Sequence, residues 1–378
     1  MIETKSMKQP FSLKLSSSLF VLIWCLIASF PIIWIAVMSI KLPIDAFSSN
    51  PIIVIFGPIT SNQRGGLSIQ DLFFCVLLVI LFLKFKEHLY KFHSQFFRFS
   101  YSVNVTFFYI FSIIIFYFAF KALNYLTPSV DILNIKILGY TFEHYKTVWI
   151  ERGFSNYFKN SVIVTFGVVV VSLTFGTLAG FALARTNSSI AFWILVIALI
   201  FRALPHSILV AGYLPFFINS SEILKPILGD LAPTFFGKPY AVIAVLVAIN
   251  QPFTIWLMRS FFQNIPSELD EAARIDGCSH FQAFIKIIMP IMWPGVITTG
   301  LFSFMLGYND YLVTSLLLDG QNQTMVPAIS GLFNRDTSTT DQVVAVAAAV
   351  SITAPLFLLV LFFQKQIVSG LTAGAVKG

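Results

Sequence analysis

Long apolar runs alternate with short polar breaks along this chain of 378 residues. Runs able to cross about 30 Å of hydrocarbon as helices fall at 19–40, 67–84, 102–123, 160–184, 190–217, 239–258, 294–318 and 343–363. They predict an all-α, polytopic membrane protein of about eight transmembrane helices. The run at 67–84 has the shortest core, Leu72 to Leu83, and needs Leu67 to Asp71 to reach across. Gly and Pro inside several runs fit membrane helices, whose neighbours resatisfy the freed backbone groups. The segment from Glu268 to Pro290 breaks the pattern, being polar, compact and amphipathic. Lipid offers such a segment nothing, so it is expected to face water and touch something there.

Composition agrees with the pattern. Hydrophobic residues make up 57% and charged residues 11%, where soluble proteins carry about a quarter charged. The formal charge of +7 is spread over the ends of apolar runs, the anchoring pattern of membrane helices. Without a phosphate-binding glycine loop or zinc-finger spacing, it does not indicate nucleic acid. Cys25, Cys75 and Cys278 have no Cys or His at ligand spacing, so neither a metal site nor a disulfide framework is expected.

Charge also sets orientation. With the N-terminus inside, the inner segments hold Lys5, Lys8, Lys14, Lys84, Lys86, Lys91, Arg98, Arg185, Arg259, Arg274, Lys286, Lys365 and Lys377. These thirteen outnumber ten outside, several of which sit in the long 124–159 loop where the rule is weaker. Both termini and the 259–293 loop are therefore expected in the cytoplasm. The first run follows three lysines, as a secretory signal would, but it lacks a small-x-small cleavage site and contains Pro31 and Trp34. A retained helix is the better reading. The basic and aromatic segment 84–99 reads either as a short amphipathic helix on anionic lipid or as a plain intracellular loop. His88 and His93, five apart, make a poor helical ligand pair.

The polar segment reads as two short helices. Pro266 marks a boundary, and Ser267 with Asp270 has capping-box spacing. Glu268, Asp270 and Glu271 crowd the first turn, where helix-end N–H groups favour negative charge. Asp270 and Arg274 form an i,i+4 pair. Ala272 and Ala273 keep the surface low enough for another backbone to approach. Gly277 suits a turn needing positive φ. Ser279 with Gln282 gives a second cap, and Phe281, Phe284, Ile285 and Ile288 form an apolar stripe at helical spacing. Glu268, Asp270, Glu271 and Asp276 lack a partnering His or a D-x-D loop, which disfavours catalysis. A docking element for a cytoplasmic partner competes here with an ordinary solvated loop.

The stretch IPSELDEAARIDGCS followed by FIKIIMPIMWPG, within Ile265 to Gly295, resembles the EAA loop of binding-protein-dependent ABC importer permeases. PFTIWLMRSFF at Pro252 to Phe262 precedes it, and YNDYL at Tyr308 to Leu312 follows, where sugar permeases usually have Trp-Asn-Asp-Phe. The tail from Gln364 to Gly378 is similar to the C-terminus of MalG-type subunits of carbohydrate importers. The resemblance is clear from about residue 150 onward and weaker in the first helix. It implies a type I ABC importer (MetI-like) permease core in a bacterial inner membrane. A second, dissimilar permease subunit, two cytoplasmic ATPases and a periplasmic or lipid-anchored solute-binding protein would be its partners. ATP and Mg2+ would be bound by the ATPases and no cofactor by this chain, which would not itself be an enzyme. The EAA loop would sit in an ATPase cleft through Glu268, Glu271, Ala272, Ala273, Asp276 and Gly277. Gly370, Leu371, Gly374 and Gly378 would form a thin, flexible strand reaching the ATPase dimer interface. Cys278 and Met289 depart from the usual alanine and leucine as swaps that keep packing. The extra block at about 41–120 departs more, since such permeases usually have six helices. A similar enlargement in alpha-glucoside permeases points to an alpha-glucoside or disaccharide.

Three regions follow: 1–150 with the first helix, the inserted block and an outer loop; 151–363 as permease core; and 364–378 as tail. Polar residues inside apolar runs are candidates for a substrate path, namely Asn250, Gln251, Tyr308, Asn309 and Asp310, with Arg202, His206, Tyr213 and Tyr311 nearby. Each can instead tie helices together. The alternative function is a secondary transporter driven by an ion gradient, which would need inverted repeats and would not need a docking loop.

Overall fold

The computed structural model describes residues 11–96, 101–127, 135–186, 188–333 and 338–373. Lys5, Lys8, Arg98, Gly374, Lys377 and Gly378 lie outside the described residues. All eight apolar runs fold as helix, two of them with breaks. Among the described residues six helical stretches are long and apolar enough to cross a membrane: Leu15–Ser39, Phe107–Leu126, Phe154–Arg185, Pro239–Gln263, His280–Asn309 and Thr339–Gln366. The chain divides into two compact units, Met1–Val148 with Arg335–Ser351 and Trp149–Asn334 with Ile352–Gly378.

In the first unit, helix α1 (Phe11–Ser39) turns its large apolar side chains outward, Trp24 and Phe20 among them, as suits a helix whose solvent is lipid. Three short helices follow, at Pro43–Ala46, Pro51–Phe56 and Pro58–Arg64, each with proline in its first turn. Proline there sacrifices only an N–H that has no intrahelical partner. Strand β1 (Gly66–Ser68) pairs antiparallel with β2 (Lys136–Gly139). Gly139 has no room for a side chain, because a Cβ would lie 2.3 Å from the Gly57 carbonyl oxygen. Between the two strands stands a helical hairpin, α2 (Ile69–Phe96) and α3 (Tyr101–Leu126). Its base is tied by Asp71, which accepts hydrogen bonds from Ser68 N (2.8 Å) and Asn124 Nδ2 (2.7 Å).

Segments 40–68 and 135–147 bury charge. Lys41 is fully buried and its ammonium donates to the Gly139 carbonyl. The carbonyl of Lys41 accepts from His144 Nε2 at 2.8 Å. Buried Asp45 accepts from Thr60 N at 2.6 Å and Thr60 Oγ1 at 2.7 Å. Burial pushes the Lys41 ammonium below its usual range, with nearby Asp45 opposing the shift. Burial likewise lowers His144, against the pull of its Lys41 hydrogen bond and of Glu143, while Arg64 adds to the lowering.

Segment 84–96 is neither a separate surface helix nor a loop, since α2 continues through it to Phe96. No Gly or Pro occurs between Leu67 and Phe96 to end the helix.

The second unit is built on α4 (Phe154–Arg185). The apolar run 190–217 is two short helices, α5 (Ser189–Arg202) and α6 (His206–Ile218), and not one continuous helix. Pro205 lacks an N–H and disfavours helical backbone at Leu204, which ends the first. At 14 and 13 residues, each covers about 20 Å, too short to cross the hydrocarbon. Next come α7 (Pro239–Gln263), α8 (Glu268–Ile275), α9 (His280–Ala283) and a π-helical turn at Phe284–Ile288. That turn leads into α10 (Met289–Asn309). The run 294–318 also breaks, resuming after Tyr311 as a short helix, Leu312–Leu317.

Helix α4 packs along α7 and α10. Its contact with α7 relies on the small pair Gly176 and Gly180, at the spacing that lets membrane helices approach closely. A Cβ on Gly176 would come 2.4 Å from Thr254 Cγ2, and one on Gly180 2.7 Å from Met258 Cβ. Val164, Val168, Val242, Leu246, Val313 and Leu317 fill the core around this crossing. The last helix, α11 (Thr339–Ala373), carries the chain to its final described residue. Gly370 and Leu371 are therefore helical, which corrects the expectation of a thin, flexible strand there; α11 meets no proline between Leu356 and Ala373.

Candidate functional site

The helix pair within Glu268–Ile288 takes its shape from local chemistry. After α8, Gly277 adopts φ +88°. Its N–H reaches the Arg274 carbonyl at 3.1 Å, and the Cys278 N–H reaches the Ala273 carbonyl at 3.0 Å. These two bonds form a Schellman motif, in which glycine accepts a backbone angle costly to other residues. The following helix opens with the expected capping box. Ser279 Oγ accepts from Gln282 N at 3.3 Å, and Gln282 Oε1 accepts from Ser279 N at 3.0 Å.

The first cap differs from expectation. Ser267 has helical backbone angles and its side chain caps nothing, because an N-cap hydroxyl reaches back only from extended backbone. Asp270 turns away from Arg274 and binds Arg185, Oδ2 to Nε at 2.6 Å. Arg185, the last residue of α4, also donates through Nη1 to the carbonyls of Phe262 (3.2 Å) and Ile265 (3.1 Å). Those carbonyls lie at the end of α7 and just beyond it, where helices leave acceptors unsatisfied. One guanidinium thus joins the ends of α4 and α7 to the first turn of α8. Its fork geometry suits three acceptors in a way a lysine ammonium would not. Sequence spacing could not reveal this pairing, since the residues are 85 positions apart.

The apolar stripe divides in two. Phe284 and Ile288 are buried with Met258, Phe262, Met292 and Val296, and the rings of Phe181, Phe262 and Phe284 meet at centroid distances from 4.9 to 6.2 Å. Phe281 and Ile285 are exposed, a correction to the single stripe. The wider π turn shifts the register that an α-helical wheel assumes. Ala273, 1% exposed, packs within the chain and leaves Ala272 as the alanine on the surface. Glu268, Glu271, Asp276 and Gly277 are exposed beside Ile275, which is 86% exposed. The outer face thus combines carboxylates with apolar side chains, while the inner face locks to α4, α7 and α10.

Among the substrate-path candidates, Asn250 is 2% exposed and donates to Thr254 Oγ1 (3.0 Å) and Ser303 Oγ (2.8 Å), which ties α7 to α10. Tyr308 is buried and donates to the Ile352 carbonyl at 2.9 Å. Both have structural work in this chain. Asp310 accepts from Thr314 N at 2.9 Å and starts the helix Leu312–Leu317, and Asn309 is exposed beside it. Gln251 differs. Its Nε2 makes one long bond, 3.4 Å, to the Ser172 carbonyl, and its buried Oε1 has no partner among the described residues. Arg202 lies over the Phe253 ring at 4.6 Å, and Tyr213 and Tyr311 are exposed.

Residues 172–372 match the family described as binding-protein-dependent transport system inner membrane component. The chain belongs to this family. The maltodextrin transport system permease protein MdxG of Bacillus subtilis is 32% identical over 242 residues, 64% of this chain and 82% of that protein. The trehalose/maltose permease protein MalG of Thermococcus litoralis is 33% identical, covering 60% and 76%. The trehalose permease protein SugB of Mycobacterium tuberculosis is 31% identical, covering 63% and 82%. This permease is accordingly a multi-pass membrane protein of the ABC importer type, and membership disfavours the ion-driven alternative. The matched region contains the whole α8–α9 segment, whereas the α2–α3 hairpin lies outside it.

Proposed function

We propose that this permease is the transmembrane subunit of an ATP-driven carbohydrate importer and that the outer face of α8–α9 is gripped by a dimer of cytoplasmic ATPases. The observation that carries this is the two-sided construction of Glu268–Ile288. Its exposed face offers Glu268, Glu271, Ala272, Asp276 and Gly277 to a partner, and its buried face connects through Arg185 and Phe284 to three long helices. Movement of α8 would reach the end of α4 through the Asp270–Arg185 bond and α10 through the buried Phe284–Ile288 turn. ATP and Mg2+ belong to the partner ATPases in this scheme. A second, dissimilar permease subunit and a solute-binding protein complete the importer, with both termini and the α8–α9 segment in the cytoplasm. Gly374 and Gly378 would reach the ATPase dimer beyond the end of α11.

Relatives that carry maltodextrin, trehalose and maltose support an alpha-glucoside or disaccharide as cargo. Gln251 is the path residue best placed to meet it, having an oxygen without a partner among the described residues.

Gly277→Leu tests coupling. A Cβ there meets nothing within 4 Å, so the cost inside this chain is backbone strain of about 1–2 kcal/mol. The variant is expected to insert and to copurify with its ATPases while ATP hydrolysis no longer drives uptake of radiolabelled maltose or trehalose. Normal uptake with the ATPases docked would overturn the assignment.

A further inference from the structure

Helix α5 ends at Arg202, and the three residues before α6, Ala203, Leu204 and Pro205, are all exposed. The 14 residues of α5 carry the chain about 20 Å from the turn that follows Arg185, so the break lies well inside hydrocarbon about 30 Å thick. Non-helical backbone at that depth persists only inside protein or beside water. The described residues of this chain do not cover the break, so it faces an aqueous cavity or another chain.

Arg202 brings a charge to the same depth. Its guanidinium lies 4.6 Å from the centre of the Phe253 ring, and Phe253 stands about 15 Å from the nearer end of α7. Phosphates at the bilayer surface are beyond the reach of a guanidinium held there. The buried Nε of Arg202 has no hydrogen-bond partner among the described residues, and none of their carboxylates pairs with it. An ionisable group inside a membrane marks a path or a partner. Phe253 also meets Phe302 of α10 edge-on at 5.6 Å and Trp256, about one turn along α7, at 6.2 Å. Trp256 and Phe302 are exposed.

Arginine offers hydrogen-bond donors and no acceptor, and aromatic faces are negative enough to take weakly positive C–H groups. Side by side they suit a molecule with clustered oxygen acceptors and an apolar C–H face, which is the chemistry of a pyranose ring. We propose that Arg202, Phe253, Trp256 and Phe302 form a sugar subsite on this chain, in which the guanidinium donates to hydroxyl oxygens and the exposed rings take the C–H face. The subsite rests on the importer reading and adds to it a place where this subunit touches the cargo beside the α5–α6 break. A carboxylate of another subunit would neutralise Arg202 but leave the two exposed rings unused. Gln251, two residues before Phe253, points roughly 160° away around α7, so the two candidate contacts lie on different faces and can be tested apart.

The test uses the complete importer in proteoliposomes and reads ATP-driven uptake of radiolabelled maltose and trehalose. Arg202→Gln should lower the maximal uptake rate about tenfold with the ATPases still copurifying, and Arg202→Lys should restore part of it. Trp256→Leu, at an exposed position, should change the ratio of maltose to trehalose uptake, which a purely structural residue would leave alone. With Cys25, Cys75 and Cys278 replaced by alanine, Ala203→Cys should react with a membrane-impermeant methanethiosulfonate, and sugar delivered by the solute-binding protein should slow that reaction. Unchanged uptake in Arg202→Gln, an unchanged sugar ratio in Trp256→Leu, or a thiol at 203 that is unreactive or not protected by sugar would overturn the subsite. A wild type that takes up neither sugar would instead remove the alpha-glucoside importer reading on which the subsite rests.

Discussion

In the Glu268–Ile288 segment the carboxylates of Glu268, Glu271 and Asp276 stand in solvent, whereas in segments 40–68 and 135–147 the titratable groups of Lys41, Asp45 and His144 are buried. Both regions are polar interruptions of an apolar chain. The first is nearly continuous in sequence and closes its turns with bonds spanning three to five residues. The second joins positions about a hundred apart, such as Lys41 and Gly139, separated by 98. Charge in the first is left for something else to touch. Charge in the second is used up in holding two distant pieces of chain in one register. A buried ion repays its desolvation only when its hydrogen bonds are complete, so such a network has little tolerance for change.

The largest effect is expected from Asp45→Ala. It removes the acceptor of Thr60 N and Thr60 Oγ1 in a fully buried site, at a cost of about 3 kcal/mol. Hydrogen exchange in detergent should show faster exchange throughout 40–68 and 135–147. Exchange no faster than in the wild type would mean that the buried charges do not hold this region together.

Arg185→Met comes next and probes the exception within the exposed region. Asp270 and Arg185 are each about one-fifth exposed, so their bond lies between the solvated carboxylates and the buried network. Loss of about 2 kcal/mol is expected. A double-mutant cycle with Asp270→Asn should show that the two losses are not additive. Additive losses would mean that α8 is not tied to α4 through this pair.

The smallest effect is a pH dependence confined to the buried region. Burial lowers the His144 pKa below its ordinary 6.5. The unfolded state therefore binds more protons between the folded pKa and about 6.5. Stability is complete above that value and declines as pH falls through the folded pKa. Protection of 40–68, measured against the intrinsic exchange rate at each pH, should fall on going from pH 7.5 to 5, while that of α8 stays flat. His144→Asn should remove the difference.

The fold class and the construction of the coupling segment were legible because their signals are local. Twenty-residue apolar runs have one stable form in lipid, where every backbone group must be satisfied within its segment. Gly277 and the Ser279–Gln282 box act on neighbours within five positions. The failures within the same segment have a common cause. Ser267, Asp270 and Arg274 fit two local pairings, and a fourth residue outside the window, Arg185, displaced both. Likewise the stripe of Phe281, Phe284, Ile285 and Ile288 was correct in composition but cut in half by a π turn that forms against α4 and α7.

The chain by itself determined a membrane protein, the position of its spans and the polar segment that interrupts them, since each follows from hydrophobicity and backbone geometry over a few turns. Tertiary structure alone decided which polar residues have partners. Asn250 is bound to Ser303 and Lys41 to Gly139, while the Gln251 oxygen is left over. Those outcomes depend on how each helix is rotated against the next, and that rotation is set by close contacts such as Gly176 on Thr254, between residues far apart in sequence.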